Sequence, residues 1–244
     1  MAEMGLGFGS EFQLLRFLGH HRNTLNKLIN ENTHLKGEIL WLDFPKNLNR
    51  LSLDGEYTGI NFIENEVCKE LFSLLEIEKI KTGWRNYWSA NGMQANLDGV
   101  ILHKHDNKLE LVLVEAKGCL KELESNTNSG SNEKIKNAFI NTQNHLNISS
   151  DNWFGKYYQL ANRLALANYF NNCSEVRIQT SLLYIYFLNG FEKRKLERRN
   201  IVTIKNQSVD KQSDWEQAIK RQYDELGLND AVSQNIAKIF IDCK

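Results

Sequence analysis

The sequence predicts an α/β fold in which a mixed central β-sheet is flanked by helices. The first observation is a β-hairpin, residues 96–103 and 108–117, whose strands are apolar on both faces, as in a sheet that is covered on both sides. The second is helical periodicity on either side of this hairpin, at residues 61–78 and 155–171. The third is a long apolar strand pattern at residues 175–188. This order of helix, strands, helix and further strands suits a mixed sheet.

The composition indicates one large domain with a full hydrophobic core. The chain has 244 residues, of which 41% are hydrophobic and 25% charged, values that are ordinary for a globular protein. No apolar run reaches the length of a membrane span, and residues 1–13 lack the basic start and apolar stretch of a signal peptide. The four cysteines are scattered, which argues against a zinc site and a disulfide framework. We therefore expect a cytoplasmic protein that does not bind a membrane.

The first part of the chain predicts an N-terminal extension, residues 1–55, packed on a main domain that spans residues 56–244. An amphipathic helix is predicted at residues 11–30. A short strand is predicted at residues 38–44, directly before Pro45, the single proline of the chain.

The main domain is predicted from hydrophobic periodicity and from its turn residues. In order, the predicted elements are a helix at 61–78, a strand at 81–89, the hairpin, a short helix at 133–145 inside an Asn-rich connection at 122–152, a helix at 155–171, a strand at 175–188 with a hairpin partner at 201–204, a helix at 214–226 and a last strand at 236–243.

Two acids and a lysine mark the ends of the hairpin arms. Asp106-Asn107 tolerates the positive φ of a tight turn, and a turn there places Asp98 opposite Glu115, with Lys117 two residues further on the same face. Opposed Cβ atoms in an antiparallel pair lie about 4.5–5.5 Å apart, so two carboxylates repel each other there unless a cation lies between them. The spacing predicts either a divalent-metal site beside an ammonium group or a salt bridge at the end of a strand.

Glu64 is a further candidate acid. In a helix over residues 61–78 it shares the apolar face with Val67, whereas Glu66 faces solvent. Its position three residues after Asn61, the predicted N-cap, also fits a capping box. Glu64 is therefore predicted either to point at the sheet and a metal ion or to cap its helix.

The helix after the hairpin carries a group of polar side chains. Gln159 and Arg163 are four residues apart and share a helical face, with Asn162 beside them. Such a face suits a phosphate group or the water shell of a metal ion. The alternative is an exposed polar stripe.

The charge balance differs from that of a dedicated DNA-binding domain. The 30 Lys and Arg residues equal the 30 Asp and Glu residues, whereas DNA-binding domains usually carry a basic excess. The one basic run, residues 191–200, includes Lys193 and Arg194 and predicts either phosphate contacts or a solvated loop. We therefore do not expect tight binding without a metal ion or a partner.

The order of these residues resembles the PD-(D/E)xK nuclease superfamily, to which many restriction endonucleases and RecB-type nucleases belong. The likeness covers roughly residues 59–190: a helix with an acid, then Asp98, then Glu115-Ala116-Lys117 across a hairpin, then a helix that opens with Gln159. The resemblance implies a restriction-endonuclease-like core.

Two positions depart from the patterns of this superfamily. Arg163 stands where the RecB-type helix motif, which Gln159-Leu160 resembles, usually has Tyr. Leu97 replaces the Pro that often precedes the first Asp. The segments 88–98 and 158–163 also resemble a bacterial branch of the superfamily.

The resemblance implies metal-assisted hydrolysis of phosphodiester bonds. Asp98 and Glu115 would hold Mg²⁺ or Mn²⁺, with the carbonyl of Ala116 as a further oxygen ligand. Lys117 would orient the attacking water or help to deprotonate it. Glu64 would bind through water or support a second ion.

The expected partner is nucleic acid, with DNA favoured over RNA. Gln159 would hold the water shell or the phosphate, and Arg163, Asn162, Lys193 and Arg194 would contact the nucleic acid. The sequence leaves open a homodimer or a second protein as partner. Two other functions also stay open, namely a non-catalytic nucleic-acid- or protein-binding module that retains the nuclease fold, and a hydrolase of another phosphate ester.

Overall fold

The computed structural model describes residues 9–42, 57–89, 95–106, 108–125, 132–190, 193–197, 200–204 and 208–243, with the backbone alone at 57–58, 193–197 and 200–204. In these residues the strands are β1 Glu38–Trp41, β2 Tyr57–Thr58, β3 Asn96–Leu97, β4 Gly99–His105, β5 Lys108–Lys117, β6 Thr180–Leu188, β7 Lys193–Glu197, β8 Asn200–Ile204 and β9 Ile236–Asp242. The α-helices are α1 Ser10–His20, α2 Arg22–Asn32, α3 Glu66–Leu71, α4 Leu74–Tyr87, α5 Glu133–Leu146, α6 Tyr158–Asn168, α7 Gln212–Leu226 and α8 Asp230–Gln234.

A five-stranded mixed sheet with the strand order β1-β4-β5-β6-β9 forms the centre of the fold. The β1–β4 and β4–β5 pairs are antiparallel, and the β5–β6 and β6–β9 pairs are parallel. Both faces of the sheet are buried, one beneath a core that includes side chains of α4, α5, α6 and α7 and the other beneath α1 and α2. The predicted α/β class, a mixed sheet flanked by helices, is confirmed.

The predicted hairpin is confirmed over most of its length. Its strands pair from Gly99 with Val114 to His105 with Lys108, which is the predicted register, and Asp106 has a φ of 47° in the turn. The pattern fails at the other end, where the chain bends at Asp98 between β3 and β4. Because of this bend, Leu97 belongs to the core on the α6 side together with Val100 and Leu102, whereas strict alternation along one continuous strand would place it on the opposite face.

The predictions for residues 61–89 are wrong in two respects. Residues 61–78 form three pieces, a 3₁₀ turn Asn61–Glu64 followed by α3 and α4. The breaks arise because the side chain of Asn65 caps α3, and Ser73 with Glu76 forms a capping box that starts α4. Residues 81–89, predicted as a strand, lie mostly in α4, which buries Ile77, Ile80 and Trp84 at helical spacing.

The N-terminal residues join the same sheet. The predicted helix at residues 11–30 is two helices that meet at His21, and β1 forms an edge of the five-stranded sheet through its pairing with β4. Residues 43 and 44, predicted to end this strand, lie outside the described residues.

The C-terminal elements follow the prediction with two corrections. The predicted strand at residues 175–188 begins later, at Thr180. The strand at residues 201–204 belongs to β8. It is predicted to pair with the strand at residues 175–188, but in the structure it pairs with β7. The helix and the last strand correspond to α7 and β9.

The connection between β5 and β6 brings α6 to the candidate site. This crossover runs over the face of the sheet that carries Glu115, and α6 is buried in the same core as Leu111 and Leu113 of β5. The helix begins at Tyr158 and ends at Asn168, inside the predicted limits of 155–171. In the described parts of the chain, every helix is too short or too polar to cross a membrane.

Candidate active site

A buried ion pair lies at the end of β5, the central strand of the sheet. Glu115 and Lys117 are two residues apart and therefore share a face. Their exposures are only 2% and 5%, and the Nζ of Lys117 donates to Oε1 of Glu115 at 2.6 Å. A charge that is buried this deeply requires partners, because desolvation disfavours its ionised form.

Helix α6 supplies two of these partners. Gln159 and Arg163 are one helical turn apart and both face the end of β5. The Nε of Arg163 donates to Oε2 of Glu115 at 2.9 Å, and Oε1 of Gln159 accepts from Nζ of Lys117 at 2.8 Å. The guanidinium of Arg163 also donates to the carbonyl of Asn96. Because Arg163 is only 3% exposed, the alternative of a solvent-exposed polar stripe is wrong for this residue.

Asp98 reaches the site in a way that the hairpin register did not predict. The ladder between β4 and β5 stops at Gly99, so Asp98 lies in the bend and does not pair directly with Glu115. Its Oδ2 instead accepts from the backbone N–H of Ala116 at 2.7 Å. Asp98 is half-buried and Glu115 is almost fully buried, so Asp98 is the more accessible of these two carboxylates.

The charges of this cluster stabilise one another. Burial alone would raise the pKa of the Glu115 carboxyl, but the charges and hydrogen bonds of Arg163 and Lys117 outweigh it and hold that pKa below its usual range. Burial alone would lower the pKa of Lys117, but Glu115, Asp98 and Glu122 outweigh it and hold that pKa above its usual range. The raised pKa favours the protonated form of Lys117, which donates hydrogen bonds to Glu115 and Gln159.

Sequence reasoning missed two residues of this cluster. The carboxylate of Glu122 accepts from the N–H of Gly118 at 2.6 Å and lies in a 3₁₀ turn, Leu120–Leu123, that has no periodic pattern to reveal it. The buried Tyr184 pairs with Glu115 across the parallel β5–β6 ladder. No local signal predicts that register, because a long crossover joins these strands.

Glu64 does not turn towards the sheet. Its side chain is 53% exposed, and its Oε1 accepts from Nζ of Lys81 at 2.7 Å. The prediction of an inward-facing acid is wrong because Glu64 ends a 3₁₀ turn and does not lie on the apolar face of a continuous helix. The capping alternative is wrong too, since the turn Asn61–Glu64 begins after Ile60 without a side-chain cap and α3 is capped by Asn65.

The predicted nucleic-acid contacts fall into two groups. Asn162 and Arg163 are 2% and 3% exposed, so both are buried in the protein and neither presents a surface to nucleic acid. Lys193 and Arg194 lie in β7, where the side chains are outside the described residues. In the chain, β7 comes after β6, the strand in which Tyr186 pairs with Lys117.

The side-chain atoms of this site that could bind a metal ion include the carboxylate oxygens of Asp98 and Glu115. Across the described parts of the chain, no group of three or more His, Cys, Asp or Glu side chains is arranged to hold a metal ion. A cavity of about 680 Å³ lies elsewhere, at the opposite end of the sheet, and is lined by residues that include His103, Lys108 and Thr180. Among the predicted site residues whose side chains the structure describes, none lines this cavity, so its volume does not mark the cluster of charges.

Comparisons of the chain with protein-family models, with curated proteins and with solved structures found no match.

Proposed function

We propose that the chain is a divalent-metal-dependent nuclease that hydrolyses phosphodiester bonds of nucleic acid, with DNA as its substrate, on a PD-(D/E)xK-like core. One observation carries the proposal: Asp98, Glu115 and Lys117 converge at one end of the central sheet with Gln159 and Arg163 of α6. These residues come from three separate segments of the chain. The resemblance selects Asp98, Glu115, Lys117 and Gln159, whereas Arg163 stands where the RecB-type motif has Tyr.

The donor set fits a hard divalent cation. Mg²⁺ prefers oxygen ligands and is usually bound by one or two carboxylates together with waters and substrate phosphates, so two carboxylates are sufficient. Asp98 and Glu115 would hold the ion, with the carbonyl of Ala116 as the further ligand that the sequence predicts. When bound, the ion would acidify water and offset the negative charge that develops on the phosphate.

The remaining residues position the reacting groups. Lys117 would donate a hydrogen bond to the attacking water or to a phosphate oxygen, and its charge would be stabilising as negative charge develops. Gln159 holds the ammonium of Lys117 in place. Arg163 would orient Glu115 through its hydrogen bond to Oε2. This role replaces the contact with phosphate that the sequence predicts for Arg163.

A second function, a non-catalytic binding module on the same fold, is favoured by a specific observation. Both oxygens of Glu115 already accept hydrogen bonds from cations, Oε1 from Lys117 and Oε2 from Arg163. The charge of Glu115 is therefore balanced by side chains of the protein itself, as in a purely structural cluster. The two functions differ in whether the carboxylate of Asp98, which is half-buried, is needed for chemistry.

The test is Asp98→Asn, assayed for cleavage of plasmid DNA in Mg²⁺ and in Mn²⁺. The variant keeps an acceptor for the N–H of Ala116 but loses the charge that would hold the ion. We expect the cleavage rate to fall about 100-fold or more, with an unchanged melting temperature. RNA and a small phosphodiester, assayed in parallel, identify the substrate class.

The matched control is Asp106→Asn, at the other end of the same hairpin. Asp106 is exposed and has a positive φ that Asn also tolerates, so this variant should cut at the rate of the wild type. Full activity of Asp98→Asn would contradict the proposal. A wild type that cuts no nucleic acid in either metal would favour the binding module.

A further inference from the structure

The segment that follows Lys117 is anchored at both ends beside the candidate site. Residues 118–125, named the brace segment below, leave β5, form the 3₁₀ turn and then meet the start of α6. At its first residue, the N–H of Gly118 donates to Oε2 of Glu122 at 2.6 Å. A short bond to a carboxylate is a strong one, so it fixes the backbone where Lys117 leaves the sheet.

At its other end the brace segment is bonded to the first turn of α6. The N–H of Gln159, which has no partner inside the helix, donates to Oγ of Ser125 at 2.8 Å. The N–H of Ser125 donates to the carbonyl of Lys156 at 2.7 Å, and Ser125 forms an isolated parallel bridge with Tyr157. Ser125 therefore fixes the position at which the side chain of Gln159 begins.

These two anchors act on the two partners of one contact. Nζ of Lys117 and Oε1 of Gln159 lie 2.8 Å apart, although the residues belong to different elements and are 42 positions apart in the chain. We propose that the brace segment sets this contact, with Glu122 and Ser125 as positioning residues for the ammonium of Lys117. The inference rests on the proposed function, since it assigns these residues a part in the same reaction.

The experiment removes each anchor and then restores it with a conservative variant. Glu122→Ala removes the acceptor for Gly118, and Glu122→Gln keeps a neutral one. Ser125→Ala removes the acceptor for Gln159, and Ser125→Thr keeps a hydroxyl. The matched control is Glu124→Gln, in the same segment, because Glu124 is exposed and pairs only with Lys156 among the described residues.

We expect both alanine variants to lower kcat for DNA cleavage about 10- to 100-fold with little change in KM, because a small displacement of a positioned group acts mainly on the chemical step. The Gln and Thr variants should recover most of this loss, and Glu124→Gln should match the wild type. A kcat unchanged in both alanine variants would overturn the inference. So would equal losses in the alanine variants and their conservative counterparts.

A second readout does not depend on activity. In NMR spectra, the backbone amide signal of Gly118 should shift in Glu122→Ala and that of Gln159 in Ser125→Ala. In both variants the side-chain amide signals of Gln159 should shift as well, because they report its contact with Lys117. If the wild type cuts no nucleic acid, the proposed function fails and these signals alone decide. Side-chain signals of Gln159 that stay in place in both variants would then overturn the inference.

Discussion

Two ion pairs of nearly equal length behave differently in this protein. Lys117 and Glu115 lie 2.6 Å apart and are almost fully buried, whereas Lys81 and Glu64 lie 2.7 Å apart with the glutamate 53% exposed. Solvent screens the second pair, so it adds little to stability. The first pair is shielded from solvent, and each of its charges depends on the others. The sequence predicts both glutamates as metal-binding acids. In the structure, Glu115 is buried with Lys117 and Arg163 as partners, whereas Glu64 is exposed and pairs with Lys81.

The largest expected effect is a difference in stability between the two pairs. Glu115→Gln leaves Lys117 and Arg163 buried without their counter-ion and should lower the free energy of unfolding by about 3–5 kcal/mol. Glu64→Gln should lower it by less than about 1 kcal/mol. Urea unfolding at neutral pH measures both values. If the two variants lose equal amounts of the free energy of unfolding, water must reach the cluster around Glu115.

The pH dependence of stability sharpens the comparison. The pKa of Glu115 is lower in the folded protein than in the unfolded chain, where it is about 4.3. Its contribution is therefore complete above that pH and is lost as the pH falls through the folded value. The pKa of Lys117 is raised, so its contribution is complete below about pH 10.4 and is lost as the pH rises through the folded value.

Urea unfolding between pH 2 and pH 12 tests this expectation. Between the acid range, where Glu115 titrates, and the basic range, where Lys117 titrates, this cluster should not make the free energy of unfolding depend on pH. Glu115→Gln should weaken the pH dependence of the free energy of unfolding on the acid side. Glu64→Gln serves as the control, with the buried cluster intact. If the free energy of unfolding falls as steeply at acid pH in Glu115→Gln as in the wild type, groups other than Glu115 cause the loss of stability.

The smallest expected effect concerns the exposed acids near the start of α3. The sequence predicts that Glu64 faces inward and Glu66 faces solvent, but in the structure both side chains are exposed and each accepts from a lysine. Glu64→Gln and Glu66→Gln should each change kcat/KM for DNA cleavage less than about twofold, as is usual for surface substitutions. A large loss in Glu64→Gln alone would restore the predicted metal role of Glu64.

The parts of the site that the sequence predicts are the ones set by local chemistry. The turn at Asp106 fixes the register of the hairpin, and the four-residue spacing of Gln159 and Arg163 fixes their common face. Tertiary contacts decide the rest. The bend at Asp98 interrupts a strand pattern that looks continuous, and Glu122 acts through a short turn without periodicity.

The predictions of one helix at residues 61–78 and a strand at residues 81–89 are wrong, although the sequence contains local signals for the observed structure. Ser73 and Glu76 have capping-box spacing, which marks a new helix start, and Trp84 continues the apolar spacing of Ile77 and Ile80 into the segment predicted as a strand. A single long helix over residues 61–78 would place Glu64 on an apolar face, and the three separate pieces of the structure have no such continuous face.

The most direct test of the proposed function compares the lysines of the two ion pairs. Lys117→Met and Lys81→Met are assayed for DNA binding in Ca²⁺ and for cleavage in Mg²⁺ or Mn²⁺, at a temperature where circular dichroism shows each variant folded. We predict that Lys117→Met cuts about 100-fold more slowly or worse while it keeps most of its binding, and that Lys81→Met matches the wild type. Cleavage by Lys117→Met at the wild-type rate would contradict the account. So would a wild type that cuts nothing while Lys117→Met weakens binding.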